Sequence, residues 1–170
     1  MKRVLVFLAI AAALLTIDAT VKAYVHHHIP LISASLPFFP YGGIPIFHQW
    51  HGIDFSIVHV VNKGAAWGAF ASRQEYLLIA RIGIIGALLM SLFFAKTTLL
   101  RTISLSFIAA GALGNVIDFF IYGHVVDMFY FRFGSYSYPV FNIADSAIFT
   151  GIVLLVCRAI FSKFCLARSQ

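Results

Sequence analysis

The sequence predicts an all-α membrane protein of four transmembrane helices with both termini cytoplasmic. Three observations carry that prediction. Hydrophobic residues make up 61% of the 170-residue chain and charged residues only 11%, with a mean hydropathy of +0.94. Soluble domains hold roughly 45–50% apolar and about 25% charged residues. Four apolar runs each approach the ~20 residues that cross a bilayer. The basic residues sit between those runs rather than in a patch, so the net charge of +6 reads as a topology signal and not as a nucleic-acid surface. The length is that of a single integral membrane domain over residues 1–170.

The first run, Val4 to Val25, follows Lys2-Arg3. It is longer than the apolar part of a secretory signal peptide, has no clear small-x-small cleavage site, and carries Asp18 and Lys22 in its distal part. A retained helix is the better reading. The remaining runs are Tyr76 to Ala95, Leu99 to Tyr122 and Asn142 to Phe164. Under this threading Lys2, Arg3, Lys96, Arg101, Arg158, Lys163 and Arg168 share one side, against Lys63, Arg73 and Arg132 on the other. The positive-inside rule makes the first side cytoplasmic. The two long connections, His26–Gln74 and Gly123–Phe141, are then extracytoplasmic. Cys157 and Cys165 fall in or just beyond the last span on the reducing side, so neither a disulfide nor a cysteine nucleophile is expected.

Asp18 and Lys22 are spaced i, i+4 and share a face of the first helix. Either they neutralise each other while Lys22 snorkels outward, or they face other helices and buttress a site. The segment His26–Ile57 is dense in His, Pro, Gly and aromatics, which suits an interfacial loop or a small β-element. Within it, His48-x-x-His51 lacks a third ligand at convincing spacing, so no metal site is expected. Ile57–Val61 alternates and is β-branched, the pattern of a short strand. It leads into Asn62-Lys-Gly-Ala-Ala-Trp-Gly68, whose small residues either let a peptide backbone approach closely or simply make a turn. Arg81, inside the second span, is either a snorkelling charge or a partner for a carboxylate.

Of six acidic residues, three (Asp118, Asp127 and Asp145) lie between Gly111 and Ser146, at the ends of apolar runs. A carboxylate is costly there and usually has a task. Asn115 and Asp118 are spaced i, i+3, and Asn142 and Asp145 repeat that spacing. Helix capping alone explains the second pair. Two such pairs with Asp127 between them are more polarity than capping requires. Two carboxyl groups brought together at a membrane surface can share one proton and activate a water. A small transporter or proton relay is the rival from another class; it expects acids spread through the membrane depth and helices broken at the midplane. A purely structural subunit is a further rival, for which Asp127→Asn costs stability rather than activity.

Taken together, these residues resemble the lipoprotein signal peptidase (signal peptidase II) family, membrane aspartyl proteases that remove signal peptides from bacterial prolipoproteins. The likeness rests on Asp18-x-x-x-Lys22, Asn62-x-Gly64-Ala65-Ala66-Trp67-Gly68, Gly114-Asn115-x-x-Asp118, Val125-Val126-Asp127 and Phe141-Asn142-x-Ala144-Asp145-Ser146. The resemblance implies that Asp127 and Asp145 are the catalytic dyad. It implies that Asn62, Gly64, Ala65, Asn115, Asp118 and Asn142 line or brace the substrate site, with Asp18 and Lys22 in support. It further implies a small extracytoplasmic β-cradle with an interfacial helix, and cleavage just before a diacylglyceryl-modified cysteine. Contact with membrane lipids, sensitivity to globomycin-like inhibitors, and a multi-pass place in the bacterial inner membrane with an extracytoplasmic active site follow in the same way. Nothing in the chain calls for a cofactor or for more than a monomer. There is one departure: the family usually carries Arg directly after the aspartate of Gly-Asn-x-x-Asp, where this chain has Phe119. If that Arg pairs with a carboxylate or contacts the substrate, another cation, Arg81 or Lys22, must substitute.

Overall fold

The computed structural model describes residues 2–33, 35–36, 39–63, 74–94 and 98–167. Gly64, Ala65 and the rest of the Asn62–Gly68 motif beyond Lys63 lie outside the described residues, as do Arg73, Lys96 and Arg168. The chain runs α1 (Lys2–His28), β1 (Ile44–Trp50), β2 (Ile53–Asn62), α2 (Gln74–Phe94), α3 (Leu99–Tyr122), β3 (Val125–Phe133), β4 (Tyr136–Ser137) and α4 (Ile143–Ala167). The strands form one antiparallel sheet in the order β1-β2-β3-β4. Among the described residues, α1, α3 and α4 are long and apolar enough to cross a membrane. The interfacial helix implied by the family resemblance is not among these elements; residues 64–73 lie outside the description.

The bundle is organised on α3, the most deeply buried of the three apolar helices. Its buried stripe is built from small residues: Ala109, Ala110, Gly111, Ala112 and Gly114. Without a hydrophobic drive between helices in lipid, close backbone approach and dispersion do the packing, and small side chains permit it. At Gly111 a Cβ would collide with the carbonyl oxygen of Ala144 on α4. Thr102, Ser104 and Ser106 are also buried, and each hydroxyl donates to the carbonyl four residues earlier, at 3.1, 2.8 and 2.7 Å. Their polarity is thus met within the helix. Thr98 caps the N-terminus by accepting from the Arg101 N–H at 3.3 Å. Gly123 ends the helix in the left-handed region, φ 74°, which a residue without Cβ adopts readily.

Helix α1 extends past Val25 through His26–His28, which the composition had suggested for a loop. Burial explains the extra turn: Val25 and Ile29 pack with Val126 and Met128 of β3 in one core. Pro30 follows directly, and the residue before a proline is driven out of the helical region. The sequence-predicted strand Ile57–Val61 is the distal half of β2. β2 pairs with β3 so that Val60 faces Asp127 and Asn62 faces Val125, with an irregularity between Ile57 and Val60. At the far end buried Asp54 clasps three strands. It accepts from the Gln49 N–H at 2.7 Å and from Arg132 Nε and Nη2 at 2.7 Å each, and it pairs with His48 Nδ1 at 2.6 Å. The Gln49 amide, then the Arg132 and His48 contacts, hold its carboxyl below the usual range. The sheet therefore presents the start of β3 to the helix ends as a fixed platform.

Candidate active site

Where β3 meets α3 and α4, four carboxylates and three side-chain amides share one network. It starts at Lys22, whose ammonium is fully buried and pairs with Asp18 at 2.7 Å and with Asp118 at 2.8 Å. Its third contact is Asn115 Oδ1 at 3.1 Å. The outward-snorkelling reading of Lys22 is therefore wrong: with three acceptors inside the bundle, the ammonium has no reason to reach for water. Asp18 also accepts from the Ala144 N–H at 2.9 Å, and Asp118 from the Val126 N–H at 3.3 Å. One lysine thus ties α1 to α3, while its carboxylates hold the starts of α4 and β3.

The amides are oriented by donors that have no alternative. Lys22 can only donate, so Asn115 must turn its oxygen toward it and its Nδ2 toward Asp145, 2.8 Å away. The Asp145 N–H donates to Asn142 Oδ1 at 2.9 Å, and the Asn142 N–H donates back to Asp145 Oδ2 at 3.3 Å. That is a reciprocal cap at the start of α4. It leaves Asn142 Nδ2 facing Asp127 Oδ1 at 2.7 Å, with a further contact to Asn115 Oδ1 at 3.1 Å. Asn62 donates to the other Asp127 oxygen at 2.8 Å. The reciprocal cap and the contacts to Asn115 and Asp127 are made by the same two residues, Asn142 and Asp145.

Asp127 is only 1% exposed. Burial, and next the nearby Asp145 carboxylate, push its carboxyl up to about 7, against the donations from Asn62 and Asn142. Asp145 instead borders a groove of about 420 Å³ walled by Phe131, Phe133, Tyr138, Phe141 and Phe149, with Ser146 and Thr150 beside it. The aromatic wall was missed in the sequence. Its signal was the alternation Phe129-Tyr-Phe131-Arg-Phe133, which places every second ring on one face of a strand. Phe131 stacks on Phe55 with centroids 4.3 Å apart and lies parallel to Phe141 at 6.0 Å. The arrangement is a buried carboxyl, raised well above the usual carboxylate range, beside one that borders an apolar groove.

Arg81 and Phe119 line a second, much smaller cavity with Asn62, Lys63, Leu77, His124 and Val125. Lys22 is committed to Asp18, Asp118 and Asn115, so Arg81 is the α2 cation beside the unusual phenylalanine. Cys157 is an exposed free thiol on α4. The proton-relay reading expects acids distributed along the bundle; Asp18, Asp118, Asp127 and Asp145 instead join one cluster.

A helical membrane bundle with a small sheet, closing two carboxyl groups against one asparagine, defines a membrane protein with a paired-carboxylate centre. Residues 10–161 match the family model described as signal peptidase (SPase) II, and the chain belongs to that family. A lipoprotein signal peptidase of Chlamydia pneumoniae is 41% identical over 116 residues, covering 67% of this chain and 69% of that protein. Another, from Desulforapulum autotrophicum, is 36% identical over 126 residues, covering 71% and 75% respectively. A solved structure described as a bacterial membrane enzyme, determined by the in meso method, is similar with a TM-score of 0.74 at 26% identity. That likeness covers 93% of this chain and 89% of the solved one.

Proposed function

We propose that the protein is an aspartic endopeptidase that removes the signal peptide from diacylglyceryl-modified prolipoproteins, cutting just before the lipidated cysteine. Family membership supports the reaction class. The observation that carries the site is the grip of Asn142 on Asp127 and Asp145 at once, through its side chain and its backbone. Asp127 and Asp145 are the dyad. Asn62, Asn115 and Asn142 orient it, and Asp18, Lys22 and Asp118 brace the elements that carry it. Gly64 and Ala65 border the substrate on the strength of the family motif.

Asp145, facing the groove, is the base: its carboxylate takes a proton from water as the water oxygen attacks the scissile carbonyl carbon. Asp127 donates its proton to the carbonyl oxygen, giving a neutral gem-diol. Collapse of that intermediate returns a proton to Asp127 and passes the proton on Asp145 to the leaving amine. Two neighbouring carboxyl groups ionise as a coupled pair, so the single shared proton is a property of the dyad. Arg81 supplies the cation that the family usually places where Phe119 stands.

The chain forms one membrane domain of four spans, α2 being the second, with both termini cytoplasmic and the sheet and dyad at the extracytoplasmic face of a bacterial inner membrane. Lys2, Arg3 and Arg101 against Lys63 and Arg132 support that orientation. The trough of Phe131, Phe141 and Phe149 suits the apolar part of the substrate, membrane lipid or a globomycin-like inhibitor, and the protein acts as a monomer. Purified protein in bilayer nanodiscs tests the reading. It cleaves a diacylglyceryl-modified prolipoprotein and leaves the unlipidated precursor whole; failure to cleave either, in folded protein, overturns it.

A further inference from the structure

Three histidines outside the carboxylate network meet at the seam between the sheet and the bundle. His26 lies in the last turn of α1, His59 on β2, and His124 in the link between α3 and β3. One ring nitrogen from each lies within 4.8 Å of the other two. Among the described residues, His26 Nδ1, His59 Nε2 and His124 Nε2 are buried without a hydrogen-bond partner. His59 is the most enclosed, 5% exposed, and its Nδ1 lies 3.0 Å from the Ile29 carbonyl oxygen. That contact puts the proton on Nδ1 and leaves Nε2 as a bare lone pair. Three buried ring nitrogens without partners can share one electrophile, and neutral imidazoles are metal ligands.

We propose that His26, His59 and His124 form a binding site for a divalent transition-metal ion, with zinc the best fit. Zinc takes imidazole nitrogen at about 2.0–2.1 Å, which sets neighbouring ligands ~3.3 Å apart in a tetrahedron. The three ring nitrogens already lie within 4.8 Å of one another, so an ion between them needs each pair to close by about 1.5 Å at most. Three protein ligands leave the fourth position to water. The ion fastens the end of α1 to the sheet. It sits three residues before Asn62 on β2 and three before Asp127 on β3, and so ties down both strands behind the Asn62–Asp127 contact.

The test uses the full chain in detergent micelles, stripped with a chelator and titrated with zinc chloride and, separately, cobalt chloride. The expected results are one ion per chain, a melting temperature raised by zinc, and the visible absorption of cobalt in a nitrogen-rich site of low coordination. Losing an outer-shell partner of a metal ligand weakens binding by about 10–100-fold, so His59→Gln and His124→Gln each weaken it at least that much. The double variant His27→Gln/His28→Gln, which removes the exposed neighbours on α1, leaves binding unchanged. Wild type that binds no zinc, binding that survives both single variants, or binding lost only with His27 and His28 overturns the proposal. Should His59→Gln fail to fold, His124→Gln and the wild-type cobalt spectrum decide: no visible bands means no site.

Discussion

The ammonium of Lys22 donates to Asn115 Oδ1 at 3.1 Å, and that contact, 93 residues apart in sequence, decides which atom of Asn115 faces Asp145. The amide has one acceptor and one donor end, and Lys22 claims the acceptor. Asn115→Leu removes the donor to Asp145 without adding charge. A hydrogen bond to a charged group is worth about 1.5–3 kcal/mol, so kcat falls roughly 10- to 100-fold. The melting temperature falls as well, because Lys22 and Asn142 lose their contact with Asn115 Oδ1. Single-turnover cleavage of a lipidated precursor measures the first, and thermal unfolding in micelles the second.

Lys22 itself is a stability residue. Its removal leaves Asp18 and Asp118 buried together without their cation. Breaking a buried ion pair from one side costs about 3–5 kcal/mol. Lys22→Met therefore lowers the melting temperature sharply, and adding Asp118→Asn recovers part of the loss because one orphaned charge is gone. Denaturant or thermal melts of the two variants read this directly.

The pH dependence follows from Asp127. The folded protein holds a proton there up to about pH 7, whereas an unfolded chain releases it near 3.8. The folded state binds the extra proton between those values, so this residue's contribution to stability declines as pH rises through that window and is level above it. If Asp127 is the acid, kcat/KM falls on the alkaline side with an apparent midpoint near 7. A rate that stays flat from pH 6 to 9 contradicts that assignment.

Arg81 shares a small cavity with Phe119 and Asn62. If it replaces the family arginine, Arg81→Met reduces kcat/KM by about tenfold or more, the worth of one charge-assisted hydrogen bond. The double variant Arg81→Met/Phe119→Arg restores part of it. Lack of any effect on cleavage removes Arg81 from the site.

What the sequence could reveal was local. The spacing of Asp18 and Lys22, of Asn115 and Asp118, and of Asn142 and Asp145 is readable because i, i+3 and i, i+4 neighbours share a helix face. The run Leu99–Tyr122 coincides with α3 because Thr98 and Gly123 mark its ends chemically. What stayed hidden needed the tertiary fold. Lys22 reaching Asp118, Asn62 reaching Asp127 across 65 positions, and His26, His59 and His124 converging leave no periodic trace. Proline and glycine density argued for loop at His26–His28, and burial of Val25 and Ile29 on β3 overrode it.

The central claim is that Asp127 and Asp145 act as one catalytic pair. The most direct measurement compares wild type, Asp127→Asn and Asp145→Asn in cleavage of a diacylglyceryl-modified prolipoprotein, with the thermal stability of each recorded alongside. Both variants are expected to fold and bind substrate yet lose cleavage by at least the roughly 10²–10⁴-fold that acid–base assistance supplies. Substantial cleavage by either folded variant, or loss of folding as the sole defect in both, contradicts it.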